Sequence, residues 1–148
     1  MTVSTDAILF FGVLLDEDQE MPWDSEDSVD FEGWYIRNET EWKPFKEIYG
    51  DDGRLPGVTE ADVDRYWDEY RKYAPKDFEL VTHCSGDYPM YGLSIKKIKA
   101  WRGDPKKVTL SDLDWTDKID AKMKLSEFVQ KHDLKVSEFG WWLVSYWG

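Results

Sequence analysis

Lysine and arginine are missing from the first 36 residues of this chain, although ten acids fall there. A segment of that kind repels bare nucleic acid and anionic membrane. Cysteine is nearly missing: Cys84 stands alone, which rules out an intrachain disulfide and fits a reducing, cytoplasmic setting. Histidine occurs only at His83 and His132. With Cys84 these make three ligands of the zinc type, where structural zinc takes four. No apolar run approaches the ~20 residues of a membrane helix. The N-terminus has no basic stretch and follows its apolar run with acids, unlike a secretory signal. No P-loop, dinucleotide-binding glycine pattern or serine-hydrolase elbow occurs. These absences lead us to expect no cofactor, no membrane association and no enzymatic activity.

Aromatic residues are plentiful: nine Trp, eight Tyr and seven Phe in 148 residues. Acidic chains that remain disordered have few aromatics, so this one is expected to fold, and its length suits one domain with a real core. Charge divides unevenly along it. Residues 1–92 hold 23 acids against 8 bases, and residues 93–148 hold 8 acids against 11 bases, within a formal net charge of −12.

Ala7 to Leu15 is a short apolar run of strand length, read as a central strand covered on both faces. Residues 16–32 are acidic, and Ser28 is a candidate N-cap for a short helix aligning Phe31, Trp34 and Tyr35. Trp42 to Gly57, with Asp51-Asp52-Gly53 and Pro56, reads as loop and turn. Thr59 is an N-cap for a helix whose apolar positions are Val63, Tyr66, Trp67, Tyr70 and Ala74, stopped by Pro75. Phe78, Leu80, Thr82 and Cys84 alternate as the better-buried face of a strand. Ser85-Gly86-Asp87 is a turn into a second strand through Tyr91, Leu93 and Ile95, with Pro89 at its start. Ile98 to Arg102 reads as a third strand. Thr116 or Asp117 begins a helix with Ala121, Leu125, Phe128, Val129 and His132 on one face. Phe139 to Trp147 reads as a closing strand beside the first, apolar on both faces. The expected fold is α+β: a single domain with a mostly antiparallel sheet of about five strands, both termini included, and two or three helices packed on it.

Four constellations stand out. The first is His83, Cys84, Asp87 and Tyr88 around the turn, an alternative pocket for a small enzyme or ligand-binding protein. Adjacent strand residues face opposite ways, so His83 is poorly placed to activate Cys84, and the plainer reading is a buried cysteine beside a turn. The second is Asp16-x-Asp18-x-Glu20, which spaces oxygens like a calcium loop. It has Met21 where that loop requires glycine, and Asp27 where it requires a bidentate Glu, so a solvated acidic loop is the better reading. The third is the ridge of Lys96, Lys97, Lys99, Arg102, Lys106 and Lys107 with Trp101. A pI of about 4.5 argues against direct nucleic-acid binding there. The fourth is the acidic surface itself: Asp16, Glu17, Asp18, Glu20, Asp24, Glu26 and Asp27, with Asp64 and Asp68 on the long helix. Acids steer a basic partner and aromatics anchor it.

Leu9-Phe10-Phe11-Gly12 with Asp16-Glu17, then His83-Cys84-Ser85-Gly86-Asp87-Tyr88-Pro89-Met90-Tyr91, and finally Ser145-Tyr146-Trp147-Gly148 resemble, in that order, small acidic proteins encoded by tailed bacteriophages. The resemblance carries no activity, cofactor or catalytic residue. It implies a phage accessory protein in the bacterial cytoplasm that binds and inhibits, or modulates, a host or defence protein with a basic surface, including by mimicry of nucleic acid. A structural or virion-associated protein is the plainer alternative. Oligomeric state is left open by the sequence.

Overall fold

A computed structural model describes residues 5–24, 30–42, 48 and 57–148. The chain gathers into two compact units. One holds residues 1–20 and 76–148, and the other holds residues 21–75. Among the described residues the first unit carries four strands: β1 (Thr5–Leu14), β2 (Glu79–Ser85), β3 (Pro89–Trp101) and β4 (Gly140–Trp147). The second carries α1 (Phe31–Glu39) and α2 (Glu60–Lys72), and the first also holds α3 (Ile119–Lys131), entered through a 3₁₀ turn at Thr116–Lys118.

The strands close into a barrel in the order β1-β3-β2-β4. β1 pairs antiparallel with both β3 and β4, and β2 pairs antiparallel with β3. A short parallel contact, Cys84 with Tyr146 and Ser85 with Trp147, completes the ring. The sheet is therefore mixed, and the first and last strands are neighbours. It has four strands rather than about five, because the expected strand at Ile98–Arg102 is the second half of β3. Nothing between Ile95 and Ile98 breaks the chain; a register shift opposite Phe11/Gly12 takes up the bend instead. Gly12 fits at that shift because β3 passes very close: a Cβ there would lie 1.9 Å from the Leu93 carbonyl oxygen.

Residues paired across a sheet face the same side. Ile8 opposes Val144, Phe10 opposes Trp142, and Leu14 and Val81 both oppose Gly92. These form the inner face, with Ile8, Phe10 and Val81 packed together and Leu14, Trp142 and Val144 against them. The other face is covered in part. Phe11 stacks on Trp115 at 4.5 Å and meets Trp141 edge-on at 5.6 Å, while Phe78 lies 5.0 Å from Phe128 of α3. Ala121, Leu125 and Phe128 are the buried stripe of that helix. Its Val129 and His132 are only half-buried.

One burial expectation is corrected by barrel closure. On β2 the inner residues are Val81 and His83, not Leu80, Thr82 and Cys84, and Cys84 is exposed. Just before β2, Phe78 is sheltered by Phe128 of α3. On β4 the outer face is covered at Trp141, which meets Phe11 and donates to the Leu113 carbonyl at 3.0 Å, and leaves Leu143 74% exposed.

In the second unit, Asp30 caps α1 by accepting the Gly33 N–H at 2.8 Å. The cap is the residue just before the helix, and the candidate Ser28 lies outside the described residues. The Asp51–Gly53 turn also lies outside them. Thr59 caps α2, with its hydroxyl accepting from Asp62 N–H and the Asp62 carboxylate accepting from Thr59 N–H at 3.0 Å. Tyr66 is the buried residue of this helix, whereas Trp67, expected on the apolar face, is exposed.

Candidate functional site

β1 leaves the barrel at Leu14 and turns at once through Asp16, Glu17 and Asp18. The turn is held from both sides. Asp16 Oδ1 accepts the Asp18 N–H at 3.0 Å, an Asx turn. Asp16 N–H donates to the Lys135 carbonyl at 2.9 Å. The Gln19 side chain then clips the two segments together. Its Nε2 donates to the Lys135 carbonyl at 2.7 Å and the Asp16 carbonyl at 3.0 Å, and its Oε1 accepts the Lys135 N–H at 2.8 Å. Asp16-x-Asp18-x-Glu20 is thus a backbone-pinned acidic turn.

A recess of 360 Å³ lies against this turn, lined by Leu14, Leu15, Asp16, Glu17, Asp18, His83 and Met90. The pairing explains the set: His83 opposes Met90 on the inner face, one step along from Val81, Gly92 and Leu14. His83 is 7% exposed, and its Nε2 is buried without a hydrogen-bond partner among the described residues.

Burial pushes the His83 pKa below its ordinary 6.5, against the opposing pull of the Glu17 carboxylate. The ring is therefore neutral at pH 7. A base whose folded pKa is depressed stabilises the fold fully above the unfolded value. As pH falls below 6.5 the unfolded chain takes the proton first, and that stability is lost toward the folded pKa. Thermal unfolding of the wild-type chain should accordingly lose more stability between pH 7 and pH 5.5 than that of His83→Gln. Parallel curves for the two proteins would contradict this assignment.

Of the four residues singled out at the hairpin, His83 alone lines the recess. Cys84, Asp87 and Tyr88 are exposed, Tyr88 at 80%. Cys84 has φ 73°, a left-handed conformation uncommon for cysteine, and it lies one residue past an inward histidine. The histidine is buried and the thiol exposed. The turn itself is organised by Ser85, whose hydroxyl accepts the Tyr88 N–H at 3.0 Å.

The acids are placed as follows. Asp16, Glu17, Asp18 and Glu20 are exposed in the barrel unit, and Asp24 is exposed in the other. Glu26 and Asp27 lie outside the described residues. Asp64 and Asp68 are exposed on α2, where Asp68 pairs with Arg71 at 2.9 Å and Asp62 with Arg65. No ion pair reaches Asp16, Glu17, Asp18, Glu20 or Asp24 among the described residues. The basic ridge differs. Lys96 donates to the Asp114 carbonyl at 2.6 Å, Lys97 pairs with Glu79 at 3.1 Å, and Lys99 pairs with buried Asp6 at 3.3 Å and lies over Trp101. Its inner members answer nearby acids, while Arg102, Lys106 and Lys107 are exposed.

No family model, curated protein or solved structure matches this chain. No described helix is long and apolar enough to cross a membrane. Among the described residues, no cluster of three or more His, Cys, Asp or Glu is disposed to hold a metal ion.

Leu14, Leu15, Met90 and Gln19 were not singled out from sequence. Gln19 is the one amide in an otherwise acidic run from Asp16 to Glu20, which is a faint signal of a structural role. Its partner lies 116 residues away, and no local pattern points to that.

Proposed function

We propose that this chain is a non-enzymatic binding protein that engages a basic surface of a partner protein through the acidic turn at Asp16–Asp18, with Glu20 beside it. The supporting observation is the contrast in pairing. The turn acids are exposed, held by backbone hydrogen bonds and without a counter-ion among the described residues, while Lys96, Lys97 and Lys99 are engaged with groups of their own unit. A fixed, uncompensated charge steers an oppositely charged partner without reorganising. The acids of α2 are weaker candidates, because Asp68 already faces Arg71. Burial of His83 beside an exposed Cys84 favours binding over thiol chemistry. In the context that the phage resemblance implies, the partner is a host or defence protein in the bacterial cytoplasm, and an acidic face of this kind suits a surface that otherwise holds nucleic acid.

Salt tests the reading. The screening length shrinks from about 10 Å at 0.1 M salt to about 3 Å at 1 M. Immobilised full-length chain should retain specific proteins from a bacterial lysate at low salt and release them as salt rises. Retention that is insensitive to salt, or no specific retention, would count against it.

A further inference from the structure

We infer that the outward face of β4, β1 and the end of β3 docks an acidic amphipathic segment of a partner protein, with aliphatic side chains on one side and carboxylates beside them. This goes beyond the docking reading, because the surface does not include the acidic turn and has the opposite chemistry.

The strand register defines the floor. Ile8 and Phe10 face inward, so Ala7 and Leu9 face outward together with their cross-strand partners. Those partners make two rows: Leu143, Leu9 and Ile98 in one, and Ser145, Ala7 and Ala100 in the other. The row before them, Trp141 and Phe11, is covered by Trp115 and the Leu113 carbonyl. The cover stops there. Leu143 is 74% exposed, Ala7 and Ser145 are exposed, and Leu9, Ile98 and Ala100 are half-buried. The water-facing side of an antiparallel sheet is ordinarily polar. These two rows hold no charged side chain, in a chain whose residues are 34% charged. An open apolar patch with a polar rim marks an interaction surface.

The rim beside β3 is basic. Arg102 follows the last residue of β3, and the chain then passes Lys106 and Lys107. It returns to Asp114, whose carbonyl accepts from Lys96 of β3 at 2.6 Å. Arg102, Lys106 and Lys107 are exposed and have no counter-ion among the described residues. Leu110, on the same segment, is 88% exposed.

The occupant follows from floor and rim together. An aliphatic floor is best covered by aliphatic side chains, and three unanswered bases suit carboxylates. A nucleic acid would satisfy the bases, but Leu9, Leu143 and Ile98 offer no ring on which its bases could stack. A second copy packed face to face would bring the same bases and no carboxylate to answer them. At physiological salt the screening length is about 8 Å, so the rim, and not the net charge of the chain, governs what a docked segment feels.

The test is methyl NMR on the full-length chain at physiological salt. The probe is a synthetic helical peptide of glutamate and leucine, with its leucines spaced to form one face. Controls replace its glutamates by lysine or its leucines by serine, and separate arms use oligothymidylate and sedimentation of the chain alone. The expected result is a saturable shift of the Leu9, Ile98 and Leu143 methyl signals with the glutamate–leucine peptide and not with either control peptide. Affinity should fall at least about fivefold in Leu143→Ser and in Arg102→Gln/Lys106→Gln/Lys107→Gln, as for central contacts of an interface. All four changes are at exposed positions, so both variants should remain folded. No saturable shift, an equal shift with a control peptide, or unchanged affinity in either variant would overturn the inference. Oligothymidylate that shifts the same methyls at lower concentration than the peptide would overturn it in favour of a nucleic acid. A dimer of the chain alone that Leu143→Ser abolishes would overturn it in favour of a second copy.

Discussion

Gly12→Ala should cost the fold about 3 kcal/mol or more, the upper end of what overpacking usually costs. The reason is one contact. The added Cβ would sit 1.9 Å from the Leu93 carbonyl oxygen and 2.9 Å from its carbon, and both are backbone atoms of the partner strand. A flexible side chain could step aside, but a paired strand cannot move without breaking its ladder. Gly12 also marks the register shift between β1 and β3 and pairs with Gly140 of β4, so the displacement would disturb the central strand on both sides. Chemical denaturation checks this against Gly140→Ala, where the nearest atom to the new Cβ is Trp142 Nε1 at 4.0 Å. The control should lose far less. Equal losses at the two positions would show that strand pairing, and not the close approach at Gly12, sets the cost.

Phe10→Ala should destabilise by about 3–5 kcal/mol, the usual range for a buried phenylalanine. Phe10 is fully buried on the inner face between Trp142 of β4 and the backbone of β3. Its ring fits because Gly92 has no side chain: a Cβ at Gly92 would lie 2.7 Å from Phe10 Cζ. Truncation leaves a void that a closed ring of strands cannot collapse to fill. Phe10→Leu should recover most of the loss. For a chain of this size, each kcal/mol moves the unfolding midpoint by roughly 2–4 °C. A loss below about 1 kcal/mol for Phe10→Ala would mean that the inner face is not the core.

The sequence carried the local signals well. Thr59 capping α2, Ser85 leading the hairpin, Pro89 starting β3 and the apolar stripe Ala121, Leu125 and Phe128 all follow from residue chemistry within one or two turns of the chain. The pairing of the last strand with the first was also legible, since both are apolar runs of strand length. What was hidden is closure. Alternation on β2 shows that residues divide into two faces, but it does not say which face is enclosed. Phe78 made one set look buried, whereas the barrel encloses Val81 and His83. The same blind spot affects the site. His83 and the Asp16–Asp18 turn were noted as separate features, and only the β1–β3–β2 ladders place them beside one recess. No pattern in either segment refers to the other.

The most direct test of the account compares two charge-neutral variants against the partner that the full chain retains at low salt. One removes charge from the turn, Glu17→Gln/Asp18→Asn, and the other removes charge from α2, Asp64→Asn/Asp68→Asn. Both pairs are exposed, so both proteins should remain folded. The account predicts a dissociation constant at least about tenfold weaker for the turn variant, equivalent to about 1.4 kcal/mol, and a smaller change for the helix variant. A helix variant that loses affinity while the turn variant keeps it would contradict the account.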